Sequence, residues 1–190
     1  LFINTSKVND VKVRQALLYA IDRETLVSGL LEGHGEVVDG FLSSVSPYYD
    51  KTLVTTTYDP EKAKALLQEA NWDSSNKLVF YVNSGDTTMV NAANVLVAQW
   101  QQVGINVEIN TVDFATLMSV AGTKDYDLLA VQYTYPPIDP YTDINWLLSG
   151  EGSWTGYYDQ SVSDALAATQ TESEDKLVDL NCFTVESAMR

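Results

Sequence analysis

The chain has 190 residues, of which 45% are hydrophobic and 19% charged, a globular composition with enough apolar content for a substantial core. Eleven basic residues against 26 acidic ones leave a net charge of −15, which argues against nucleic acid, because phosphate binding needs a surplus of lysine and arginine. A single cysteine, Cys182, and a single histidine, His34, exclude an internal disulfide, a thiolate metal cluster and a two-histidine metal site.

Leu1 opens directly in a strand and Arg190 closes an unfinished helix, so the chain reads as part of a longer protein. Asp10 is placed to cap a first helix, with Val13, Leu17, Ala20 and Ile21 as its apolar stripe. From Gly29 to Pro47 the chain is punctuated by glycine and reads as irregular. Asp59-Pro60 is the clearest helix start, an N-cap followed by proline at the first helical position; Ala63, Leu66, Leu67 and Ala70 build one face. Lys77 to Asn83 reads as a strand carrying Leu78, Phe80 and Val82. Thr87 or Thr88 is expected to cap a longer helix, with Ala93, Leu96, Val97, Trp100 and Val103 inward and Gly104 as its stop.

Ile105, Val107 and Ile109 alternate with polar residues, as a strand with one buried face requires. Asp113 should cap a short helix that bears Phe114, Leu117, Met118 and Ala121 and ends at Gly122. Tyr126 to Tyr133 reads as a central strand, because Leu128-Leu129-Ala130-Val131 is apolar throughout. Asp139-Pro140 repeats the cap-and-proline signal, Val162, Ala165 and Leu166 mark another helix, and Thr171 with Glu174 forms a capping box for the last. Strands joined through helices imply an α/β domain with a mostly parallel sheet and right-handed crossovers. Ligands of such sheets sit beyond the carboxyl ends of the strands, which points to Tyr133, Thr134, Tyr135 and Pro136.

The sequence contains no phosphate loop, no dinucleotide fingerprint, no H-E-x-x-H and no G-x-S-x-G. Asp139 and Asp143 have the spacing of paired carboxylates on one helix face, the alternative of a hydrolase, but a cap and a first-turn acid account for both. The aromatic residues Tyr133, Tyr135, Tyr141, Trp146, Trp154, Tyr157 and Tyr158 crowd together in sequence. Aromatic rings offer large contact area at low entropic cost, which suits a binding cleft; core packing is the other role open to them.

Val11-Lys12-Val13-Arg14-Gln15-Ala16-Leu17, continuing to Ala20-Ile21-Asp22-Arg23, resembles a signature of the oligopeptide- and dipeptide-binding proteins of ABC importers. Tyr58-Asp59-Pro60-Glu61-Lys62-Ala63 through Leu66-Leu67 and Ala70 resembles a second segment of that family, with Asn71 where glycine is common. Tyr126-Asp127-Leu128 and Asp139-Pro140-Tyr141-Thr142 follow in the expected order. The resemblance implies a type II periplasmic-binding-protein-like α/β fold, with residues 1–190 as a single lobe, most of the C-terminal lobe of a two-lobed protein. It implies an extracytoplasmic monomer, periplasmic or held at the cell surface as a lipoprotein, that captures peptides for a membrane permease. No catalytic residue, cofactor or metal is implied, and a carbohydrate or other small solute is the alternative ligand. Tyr133, Tyr135, Pro136 and Trp154 are the expected ligand contacts, while Arg14, Asp22 and Arg23 are expected to serve structure. Peptide binders of the family commonly hold the ligand ammonium with an aspartate where this chain has Pro136, so no clamp is expected from that position.

Overall fold

In the computed structural model, which describes residues 1–38, 44–46, 49, 56–132, 134, 145 and 153–169, the capping signals dictate where helices begin. Helix α1, Val11–Tyr19, starts after Asp10, whose carboxylate accepts the Lys12 N–H at 2.8 Å, and it buries Val13, Ala16 and Leu17 on one stripe. A short turn of helix, α2 (Arg23–Thr25), runs into a π-helical turn at Leu26–Leu30, which sequence patterning gave no sign of. Helix α3, Pro60–Glu69, is capped by Asp59 through the Lys62 N–H at 2.9 Å, with proline in its first turn. It ends as a glycine site would: Asn71 takes the left-handed conformation at φ 52°, and the Trp72 N–H reaches back to the Leu67 carbonyl at 2.9 Å.

The expected strands form one four-stranded sheet in the order β1-β4-β2-β3, with β1 Phe2–Ile3, β2 Lys77–Asn83, β3 Asn106–Val112 and β4 Leu128–Ala130. β2 is parallel to both β3 and β4, while β1 joins β4 antiparallel, pairing Phe2 with Leu129. The apolar run therefore becomes an interior strand as expected, although its regular part is only three residues long. Helix α4, Thr87–Gln102, links β2 to β3, and α5, Phe114–Thr123, links β3 back past β2 to β4. Right-handed crossovers in opposite directions put these two helices on opposite faces of the sheet.

The face under α4 holds the main core. Leu78, Phe80 and Val82 of β2 and Leu128 and Ala130 of β4 join Val13, Ala16, Leu17, Leu67, Leu96 and Trp100 there. Trp100 is fully buried, its ring edge-on to Phe80 with centroids 5.6 Å apart, and its indole N–H donates to the Leu17 carbonyl at 2.9 Å. One indole thus satisfies both its apolar body and its polar tip while tying α1 to α4.

Two helix boundaries differ from expectation. Asp86, not Thr87 or Thr88, caps α4 by accepting the Met89 N–H at 2.9 Å, since a carboxylate one residue earlier reaches the third amide of the helix. Helix α5 runs past Gly122 to Thr123 and closes on Lys124 at φ 57°, because the reversal falls at the left-handed residue rather than at the glycine.

Two compact units are distinguished: Leu1–Val37 with Thr56–Gln132, and Val38–Thr55 with Tyr133–Arg190. The first contains the sheet and α1 to α5. In the second, α6 spans Gln160–Thr169 and buries Val162 and Leu166, and Asp159 ahead of it accepts the Ser161 N–H at 2.8 Å. The helix expected at Pro140 and the capping box at Thr171 and Glu174 lie outside the described residues. Among the described residues no helix is long and apolar enough to cross a membrane.

Candidate functional site

Strands β2, β3 and β4 run the same way, so their carboxyl ends lie together on one edge of the sheet. Three loops compose that edge: Asn83 to Asp86, Val112 to Phe114, and Ala130 to Gln132. The Ser84 N–H donates to the Val112 carbonyl at 2.7 Å, extending the β2–β3 ladder one residue beyond the strands. The Asn83 carboxamide oxygen then accepts the Gly85 N–H at 3.0 Å, which tightens the turn into α4. At the neighbouring loop Asp113 accepts the Thr116 hydroxyl at 2.6 Å and the Thr116 N–H at 3.0 Å. The hydroxyl bond, followed by the backbone bond, holds this carboxyl below its usual range.

Phe114 begins α5 at this edge and is 55% exposed. Of the apolar residues that α5 bears, Leu117 and Ala121 are buried, and Phe114 is presented to solvent at the strand ends. A ring left exposed at the edge where α/β sheets bind ligands is a candidate contact that the apolar spacing concealed. Of the four ligand contacts expected from sequence, Tyr133, Tyr135 and Pro136 lie outside the described residues, as do Asp139 and Asp143. Trp154 is half-buried in a turn of the second unit, beside buried Ser153, whose hydroxyl meets the Thr155 hydroxyl at 2.8 Å.

The residues of the first sequence signature make structural bonds. The Arg14 guanidinium donates to the carbonyls of Val8 and Asn9, both at 2.9 Å, and so ties the loop before α1 to the helix. Asp22 caps α2 by accepting the Thr25 hydroxyl at 2.7 Å and the Thr25 N–H at 2.9 Å, and these two bonds lower its pKa. Arg23 donates to the Thr56 carbonyl, joining chain segments far apart in sequence. Asp127 accepts the Val79 N–H at 2.8 Å, filling a ladder position just before β4 begins.

A groove of about 440 Å³ opens at the opposite, amino edge, lined in part by Lys7, Asp10, Trp72, Lys77 and Asp127. Its charges are already engaged: Lys7 with Asp125 at 2.6 Å, Lys77 with Glu108 at 2.6 Å, and Asp10 and Asp127 with backbone amides. The indole N–H of Trp72, by contrast, is buried without a hydrogen-bond partner. Among the described residues no group of three or more His, Cys, Asp or Glu side chains is placed to hold a metal ion.

A protein-family model described as bacterial extracellular solute-binding proteins, family 5 Middle, matches residues 1–155. The dipeptide-binding protein of Escherichia coli K12 is 26% identical over 142 residues, covering 73% of this chain and 26% of that protein. The oligopeptide-binding protein AppA of Bacillus subtilis is 32% identical over 136 residues, covering 64% of this chain and 25% of that protein. The structure of that AppA in complex with a nonapeptide superposes with a TM-score of 0.83 at 23% identity, over 95% of this chain and 40% of that one. The chain thus spans about a quarter of the length of these two curated relatives.

Proposed function

Because the chain belongs to the bacterial extracellular solute-binding proteins of family 5, we propose that it is part of the solute-capturing component of an ABC importer and that its ligands are peptides. Its relatives are named for dipeptide and oligopeptide binding, and that agreement between two separate proteins is the observation that carries the ligand class. In this reading residues 1–190 form one ligand-binding lobe of a two-lobed monomer, outside the cytoplasm, that hands its ligand to a membrane permease. A lipid anchor elsewhere in the protein would keep it at the membrane. The family is one of solute-binding proteins, and the chain captures its ligand without changing it chemically.

The carboxyl edge of the sheet is the contribution of the first unit to the ligand, with Phe114 as its apolar contact. Tyr133, Tyr135, Pro136 and Trp154 are proposed as further contacts, on sequence grounds. A peptide is an extended chain of amides with varied side chains, and exposed rings give it contact area without demanding one side chain. The test is to purify the full-length protein, release what it retains, and identify that material by mass spectrometry. Retained, unmodified peptide supports the reading; a retained sugar, or a peptide cleaved on incubation, refutes it. In the same protein, Phe114→Ala should weaken peptide binding by about 1–2 kcal/mol, read by calorimetry, and unchanged affinity would remove Phe114 from the contact surface.

A further inference from the structure

We infer that the carboxyl edge of this sheet discriminates against anionic ligand groups, so that the solute it takes is neutral or positively charged where it meets this edge. The inference rests on the solute-binding reading above and adds to it the charge of the ligand. Between Lys77 and Gln132, the end of the first unit, the sequence carries five acidic residues and a single basic one, Lys124. All three loops of the edge fall inside that stretch. Lys124 is at the wrong end to help: it closes α5, a ten-residue helix that begins at Phe114, and its carbonyl accepts the Asn4 carboxamide at the amino edge. It therefore stands about 15 Å of helix away from the strand ends.

Sheets of this kind usually offer anions a second welcome, the free amides and positive dipole end of a helix starting at the carboxyl edge. Helices α4 and α5 both start there, and in both the place is taken by the protein's own carboxylate. Asp86 accepts the Met89 N–H at 2.9 Å, and Asp113 accepts the Thr116 N–H at 3.0 Å. A ligand carboxylate arriving at either helix meets the carboxylate of the cap and finds the third amide of the helix already in use. Asp113 is exposed and its bonds to Thr116 keep it ionised, so that charge is present at neutral pH. The other exposed groups of the edge, Ser84, Thr87, Gln132 and Phe114, are neutral.

The test uses the full-length protein and matched ligand sets in calorimetry at low and high salt. One set is the tripeptides Ala-Lys-Ala, Ala-Gln-Ala and Ala-Glu-Ala, each as the free acid and the amide; the other is glucosamine, glucose and glucuronate. Within whichever class binds, affinity should fall by about five- to tenfold for each negative charge added, and the gap should shrink as salt rises. Binding of sugars in place of peptides would overturn the peptide reading, while the order among the three sugars would still decide the charge inference. An anionic member that binds as tightly as its neutral partner overturns the charge inference in either class. Asp113→Asn keeps a capping side chain, so the helix is preserved while the charge is lost. It should reduce the discrimination at least about twofold, and an unaltered preference would count against the edge as its source.

Discussion

Replacing Asn4 by alanine removes a clamp between the N-terminal segment and the chain that leads into β4. Asn4 is 1% exposed, and its carboxamide donates to the Lys124 carbonyl at 2.8 Å and the Tyr126 carbonyl at 2.9 Å while accepting the Ser6 N–H at 3.0 Å. The Tyr126 bond is buried, so its carbonyl loses this donor without gaining water; the other two groups are part-buried and can be rehydrated in part. Losing a buried hydrogen bond without rehydration costs about 1–3 kcal/mol, and each partly hydrated group adds about 0.5 kcal/mol, giving about 2–4 kcal/mol for Asn4→Ala. The backbone bond from Asn4 N–H to the Asp127 carbonyl survives the substitution, which keeps β1 in register and makes the loss a measurable destabilisation. Urea unfolding of the full-length variant, with hydrogen exchange of the Ile3 and Asn4 amides as the local readout, measures it. A midpoint shift worth less than about 0.5 kcal/mol, with unchanged exchange, would refute the account, because surface substitutions commonly do no more.

Asn71→Gly should stabilise the protein by about 0.5–1 kcal/mol, since glycine adopts the left-handed φ of 52° without strain, and Asn71→Val should destabilise it; thermal unfolding decides both. Trp100→Phe keeps an aromatic ring against Phe80 but leaves the Leu17 carbonyl without its donor, and urea unfolding should show a loss of about 1.5–3 kcal/mol. Asp22 and Asp113 have pKa values lowered from 3.8, so the stability they contribute is present above that value and is lost as pH falls through their folded values. Acid titration of stability should therefore steepen below about pH 4, and Asp22→Asn with Asp113→Asn should flatten that limb; an unchanged acid limb would show that these bonds are not what the native state loses.

Much of the fold was legible because caps and periodicity are local. Asp10, Asp59 and Asp113 each announce a helix within three residues, and the alternation of Leu78, Phe80 and Val82 needs no distant partner to be read. What escaped depends on residues far apart. The antiparallel entry of β1 beside β4 is written in no local pattern, and Asn4 reads as an ordinary loop asparagine until Lys124 and Tyr126 arrive beside it. The exposure of Phe114 escaped for a related reason. Its spacing from Leu117 and Ala121 fits an apolar stripe, but the first turn of α5 stands past the end of β3, where there is no sheet to cover it. The structural roles of Arg14, Asp22 and Arg23 were expected from the family resemblance, whereas their partners, among them the Thr56 carbonyl that Arg23 meets, were not legible in the sequence.

The position of β1 also sets an order of events. β2, α4 and β3 are consecutive in the chain and can assemble as a local unit, but β4 joins only after residue 130 exists, and it must then be found by a strand made more than a hundred residues earlier. Until that meeting, Leu128-Leu129-Ala130 has one open edge and no charge to repel a neighbour, the condition under which strands pair between molecules. Two residues of β1 and the Asn4 clamp behind them close that edge. The step is nonlocal and therefore slow, so the yield of folded protein depends on how long the N-terminal strand takes to arrive, and a refolding reaction crowded with unfinished chains would lose material at this edge first.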